Sequence, residues 1–176
     1  MAGMLEGVDQ RTKLAGHNRL ELLLFNLGRR QQFGINVFKV REVMHVPEIT
    51  HAPNMPDSVE GMVSLRGSMV PVINLQSFCG VQADEGPKIL MVTEYNKNVQ
   101  GFLVHSVDNI ERLDWDNVKA PPPMLISRMG GLVTAVAELT NKQLVMIMDV
   151  EKILADTALL HCEDDLYDGI TKVDKS

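Results

Sequence analysis

Apolar and polar positions alternate along most of this chain, and the pattern predicts short strands joined by glycine-marked turns. Leu20 to Leu27 is an apolar strand, the turn falls at Gly28-Arg29-Arg30-Gln31, and Gln32 to Ile35 returns. Val37, Val40 and Met44 repeat at intervals of three and four, which predicts a short helical turn at the end of that strand. Pro47, Pro53 and Pro56 exclude long regular structure before Val59. Gly61 to Leu75 holds two strands meeting at Arg66-Gly67-Ser68, followed by one helical turn that Gly80 stops. Beyond a loop at Asp84-Glu85-Gly86-Pro87, Lys88 to Glu94 and Val99 to Val107 form a hairpin across Asn96-Lys97-Asn98. Ile110 to Leu113 extends the sheet, and Pro121-Pro122-Pro123 reads as a stiff crossing segment. Gly130-Gly131 precedes another hairpin, Leu132 to Leu139 with Gln143 to Met148. Asp149 is the expected N-cap of a closing helix with Val150, Ile153 and Leu154 on one face. The polar opening residues predict only a short helix ending near Ala15-Gly16.

This amounts to eight to ten short strands and a few brief helices. Strands recurring every 8–12 residues or so, with glycine at the turns, point to a mainly β fold of small barrels rather than a βαβ sheet. The two halves share a hairpin-rich grammar without a strict repeat.

Composition narrows the function. Aromatics make up 5% of the chain, so Val, Ile, Leu and eleven Met must fill the interior, and stacking platforms for bases are lacking. A net charge of −6 argues against a nucleic-acid or anionic-membrane surface. No apolar run approaches the roughly 20 residues that span a bilayer, and the N-terminus lacks a basic segment followed by an apolar one. The expectation is a cytoplasmic protein with no direct membrane insertion. Cys79 and Cys162 form no Cys-x-x-Cys pair and are expected as reduced thiols, Cys79 buried.

Motifs for bond chemistry are missing. His17, His45, His51, His105 and His161 show no metal-ligand spacing, and His105 reads as a structural histidine in a strand. Glycine-rich phosphate loops and a Gly-x-Ser-x-Gly elbow are absent. Asp114 and Asp116 bracket the only tryptophan, Trp115, without a partner base, and Glu163-Asp164-Asp165 reads as a solvated acidic run. These residues predict neither an enzyme nor a cofactor. Glu42 and Arg66 stand apart, because both lie among apolar, β-branched neighbours where the chain turns. Two readings stand for them: a rim salt bridge of small energetic weight, or a pair that contacts a partner.

The stretch Phe33-Gly34-Ile35-x-Val37-x-x-Val40-Arg41-Glu42 and the stretch Gly61-Met62-Val63-Ser64-Leu65-Arg66-Gly67, followed by Pro71-Val72-Ile73-Asn74-Leu75, resemble the two signatures of the CheW-like coupling proteins of bacterial chemotaxis. Similarity continues through Gly101-Phe102-Leu103-Val104-His105 and the closing Leu144 to Leu154. Val92-Thr93-Glu94-Tyr95, Trp115 and the opening Thr12 to Phe25 look like the N-terminal coupling domain of CheV, although Ser64 and Asn74 stand where the family more often has Asn and Asp. The resemblance covers residues 18–156, with a polar or helical segment at 1–17 and a tail or linker at 157–176. It implies two small five-stranded SH3-like barrels packed on a shared core, with a few short helices and a C-terminal helix. It also implies a scaffold that bridges the cytoplasmic tip of methyl-accepting chemoreceptors to the regulatory domain of the histidine kinase CheA, placing the protein at membrane-associated receptor arrays. Contact residues implied by position are Val40, Glu42 and Arg66, with Ile35 and Val37 as weaker candidates. The receiver domain that follows the coupling domain in CheV is expected to be absent, since the few residues after Asp165 cannot build it. The competing expectation is a small all-β interaction module of another signalling pathway.

Overall fold

A computed structural model describes residues 19–51 and 53–153. The short helix expected near Ala15-Gly16 and the tail at 157–176 lie outside the described residues. Eleven strands run in chain order: β1 (Arg19–Asn26), β2 (Gln32–Asn36), β3 (Val40–His45), β4 (Val59–Leu65), β5 (Ser68–Asn74), β6 (Ile89–Tyr95), β7 (Asn98–Val104), β8 (Ser106–Asp114), β9 (Val118–Lys119), β10 (Val133–Glu138) and β11 (Leu144–Met148). They form a six-stranded sheet of order β8-β1-β2-β11-β10-β9 and a five-stranded sheet of order β3-β6-β7-β5-β4. The mainly β expectation holds, and the five-strand count fits one sheet while the other has six. The chain does not build one sheet per half. Its first hairpin joins the sheet of the last one, because β2 pairs with β11 in parallel, Phe33 opposite Met146.

Period-two alternation explains how two sheets share one interior. Along β1, Leu20, Leu22 and Leu24 face a core private to the six-stranded sheet, which also takes Trp115. Leu23 and Phe25 face the opposite way into a common core with Phe33, Ile35, Ile73, Met91, Phe102 and Val104, to which both sheets contribute. The Phe25 and Phe33 rings stack there at 5.7 Å. The five-stranded sheet encloses its own cluster of Val63, Val70, Val72, Leu90, Val92 and Leu103.

Local chemistry sets the short helices. The side chain of Asn36 accepts the Phe38 N–H at 3.0 Å and starts a 3-10 turn over Val37–Lys39. The helical turn expected through Met44 stops there. The apolar spacing of three and four at Val37, Val40 and Met44 masked a strand whose own alternation runs Val40, Glu42, Met44 inward. Asn74 caps α1 (Leu75–Phe78) by accepting the Gln76 and Ser77 N–H groups. Pro121-Pro122-Pro123 is less of a crossing segment than expected, since Pro123 opens α2 (Pro123–Arg128), where a missing N–H costs nothing. His105 falls at the bend between β7 and β8 rather than inside a strand. Residues 150–153 are helical, and Asp149 caps them by accepting the Glu151 N–H at 2.9 Å.

Lys39 ties the crossing turn to that cap. Its Nζ lies 2.6 Å from Glu151 and 3.4 Å from Asp149, and 5.2 Å from the centre of the Tyr95 ring. Burial alone would lower the Lys39 pKa, but the hydrogen bonds and charges of Glu151 and Asp149 together raise it.

Cys79 is half-buried at the end of α1, and burial pushes its thiol up to about 12 from the ordinary 9.0. Because the folded-state value is the raised one, its contribution to stability is fully present below about pH 9 and is lost as pH rises toward 12. In a Cys162→Ser background, Cys79 is expected to react with a disulfide reagent at pH 8 far more slowly than an unperturbed thiol, because little of it is thiolate. Complete labelling of the folded protein within seconds would contradict this.

Candidate functional site

Parallel pairing of β5 with β7, Val72 opposite Gly101, brings the β4–β5 and β6–β7 turns to the same end of the five-stranded sheet. Both are two-residue turns with positive φ at both centres: Arg66 at 49° and Gly67 at 81°, Asn96 at 49° and Lys97 at 69°. That is the turn type whose twist matches a hairpin, and it favours Asn or Gly at its centre. Arginine or lysine held there costs about 1–2 kcal/mol, so one cation at each tip is a departure from what folding alone selects.

β3 reaches the same end antiparallel to β6, with Val40 opposite Thr93 and Glu42 opposite Val92, a shift that leaves Arg41 as an extra residue. Such a bulge re-aims side chains. Glu42 sits in the inward-facing row between Val40 and Met44, its side chain only 23% exposed. Arg66 reaches across from the opposite side of the sheet order and donates from Nη2 to Glu42 Oε2 at 2.9 Å. The arginine side chain is 77% exposed, so the pair supports the fold by no more than about 1 kcal/mol. Arg41 pairs with Glu94 at 3.2 Å.

Beneath these charges lies an open groove of about 790 Å³ lined by apolar side chains, among them Met55, Met62, Leu65, Met69 and Val99. Met69 is 58% exposed. The floor is held by the buried Gln100, whose Nε2 donates to the carbonyls of Pro71 and Gly101 at 2.7 and 3.3 Å.

The candidates read from the sequence therefore separate. Glu42 and Arg66 come together at the groove rim, and Val40 is half-buried at the start of the same strand. Val37 is half-buried in the 3-10 turn, away from the groove lining. Ile35 is 2% exposed in the common core, where it cannot touch a partner directly. The sequence reading missed the methionines and Lys97. Its available signals were Met69 on the polar row of an alternating strand and a lysine in a turn that prefers glycine. No group of three or more His, Cys, Asp or Glu side chains placed to hold a metal occurs among the described residues.

Fold and site together define a two-sheet, mainly β domain with a groove of apolar and charged lining at one end of its five-stranded sheet. The family model for the CheW-like domain matches residues 21–158, and the chain belongs to that family. It is 34% identical over 134 residues to chemotaxis protein CheV3 of Helicobacter pylori, covering 72% of this chain and 42% of that protein. It is 30% identical over 172 residues to chemotaxis protein CheW of Klebsiella aerogenes, covering 96% of this chain and 99% of that one. The chain thus spans less than half the length of that CheV relative and nearly all of the CheW relative. The crystal structure of scaffolding protein TtCheW from Thermoanaerobacter tengcongensis matches with a TM-score of 0.67 at 25% identity, over 74% of this chain and 89% of that chain.

Proposed function

We propose that this protein is a chemotaxis coupling scaffold that bridges the cytoplasmic tip of methyl-accepting chemoreceptors to the regulatory domain of the histidine kinase CheA. Residues 18–156 act as the coupling unit, in the cytoplasm at receptor arrays, with no catalytic role of its own. The observation that carries the reading is the Glu42–Arg66 pair, held at little energetic benefit on the rim of an apolar groove in a CheW-like fold. Contact falls to Val40, Glu42 and Arg66, while Ile35 lies in the common core against which Val40 packs. A bridge needs a second surface, and Phe38, 83% exposed, with Val43, 41% exposed, offers apolar area outside the groove.

The test is reconstitution with a chemoreceptor cytoplasmic fragment and CheA. The chain is expected to bind each partner separately and to raise receptor-dependent kinase autophosphorylation only when all three are mixed. Failure to bind either partner would sink the reading and return the protein to the class of interaction modules from another pathway.

A further inference from the structure

We infer that Lys39, Asp149 and Glu151 form a latch between the two sheets that positions β3, so that the charges of the closing helix govern the contacts made through Val40 and Glu42. This deepens the preceding reading and rests on it only in taking those two residues as contacts.

The need for a latch lies in how the chain passes between the sheets. Among the described residues it crosses twice, from β2 to β3 and from β7 to β8. The second crossing is anchored by its backbone, since the His105 N–H donates to the Asn26 carbonyl of β1 at 3.0 Å. The first is held differently. No side chain of its 3-10 turn is buried, and its Phe38 and Val40 N–H groups bond Asn36 and Val37, inside the crossing itself. β3 then follows as an edge strand, paired with β6 alone and bulged at Arg41. Core packing reaches the start of β3 only through the partly buried Val40, and ladder bonds reach it from one side.

The Lys39 side chain supplies what the backbone lacks. Its ammonium lies 2.6 Å from Glu151 and 3.4 Å from Asp149, in the segment that follows β11 of the six-stranded sheet. It also lies 5.2 Å from the ring centre of Tyr95, the last residue of β6 in the five-stranded sheet. One cation thus joins both sheets at the residue preceding Val40. Two carboxylates face it, and Asp149 also accepts the Glu151 N–H at 2.9 Å. Without the ammonium those carboxylates repel each other at the start of the helix, so its loss is felt on both sides of the latch.

The test compares Lys39→Met, Lys39→Arg and Glu151→Gln in the full chain. Residue-resolved amide hydrogen exchange is measured beside dissociation constants for the chemoreceptor fragment and CheA, at a temperature where each variant is folded. Lys39→Met is expected to speed exchange at the Val40 N–H about tenfold, while the N–H groups of β1 and β7 stay as protected as in the unaltered protein. Binding of at least one partner should weaken about tenfold with it. Lys39→Arg keeps the cation and should restore most of both. Glu151→Gln retains the Asp149 pairing and serves if Lys39→Met does not fold; its changes should run the same way, about threefold. Uniform acceleration across both sheets would reduce the cluster to a general stabiliser and overturn the inference. So would unchanged exchange at Val40, or full binding by a variant whose Val40 exchange has risen. If the unaltered protein binds neither partner, the coupling function fails, and exchange at Val40 alone decides whether the latch exists.

Discussion

Arg66→Glu is expected to weaken association with the chemoreceptor fragment or with CheA by about 30- to 100-fold, while moving the thermal midpoint by only a few degrees. The two effects separate because of where the charge sits. With its side chain 77% exposed, Arg66 contributes little to folding, about 0–1 kcal/mol, which corresponds to roughly 2–4 °C in a domain of this size. The left-handed backbone at φ 49° is no harder for glutamate than for arginine. At an interface the same charge is desolvated against its partner, where losing one member of a close pair costs about 2–3 kcal/mol. The variant also sets a second carboxylate beside Glu42, reversing the charge that the rim presents.

A charge swap, Glu42→Arg with Arg66→Glu, sharpens the point. It restores an internal ion pair, so stability should recover, but the partner meets the opposite dipole, so binding should not. Full binding by the swapped protein would show that the pair only braces the rim. Wild-type binding by Arg66→Glu itself would remove these residues from the contact surface altogether.

What the sequence disclosed about the fold follows from the range of the forces involved. Hairpins such as β6–β7, closed by Asn96-Lys97, and β4–β5, closed by Arg66-Gly67, announce themselves through alternation and turn residues a few positions apart. The caps at Asn74 and Asp149 are equally local. The parallel pairings of β2 with β11 and of β5 with β7 leave no such mark, because they join strands distant in sequence whose period-two pattern is the same in either partner. Hence the sequence pattern does not tell that the first hairpin joins the sheet of the last one. The same gap hid the groove. Glu42 and Arg66 were legible as charges in apolar company, yet Lys97 comes to the same end of the sheet only through the β3–β6 and β5–β7 pairings. Ile35, equally prominent in the signature stretch, turned out to be core, because alternation tells which residues share a face but not which face of a doubly buried sheet meets solvent.

Gly61→Ala is expected to be the most damaging small substitution in the five-stranded sheet, lowering stability by about 2–4 kcal/mol and the thermal midpoint by roughly 5–15 °C. Two independent penalties meet at this position. Gly61 holds φ at 147°, which side-chain-bearing residues rarely adopt, and an added Cβ would strike the Thr50 carbonyl oxygen and lie 2.9 Å from Ile49 Cγ2. That carbonyl is the acceptor for the Met62 N–H, so the clash cannot be relieved without breaking the bridge that binds the segment after β3 to the edge of β4. The segment and β4 carry Met55, Val59 and Met62 along one wall of the groove. Partner binding should therefore fall even at temperatures where the variant remains folded. Gly67→Ala is the matched control. Its Cβ would meet nothing within 4 Å, leaving only the backbone cost of φ 81°, about 1 kcal/mol. Chemical denaturation of the two variants decides the matter: a Gly61→Ala protein as stable as Gly67→Ala would mean that the Thr50 contact yields freely, and that this wall of the groove is not fixed by the bridge.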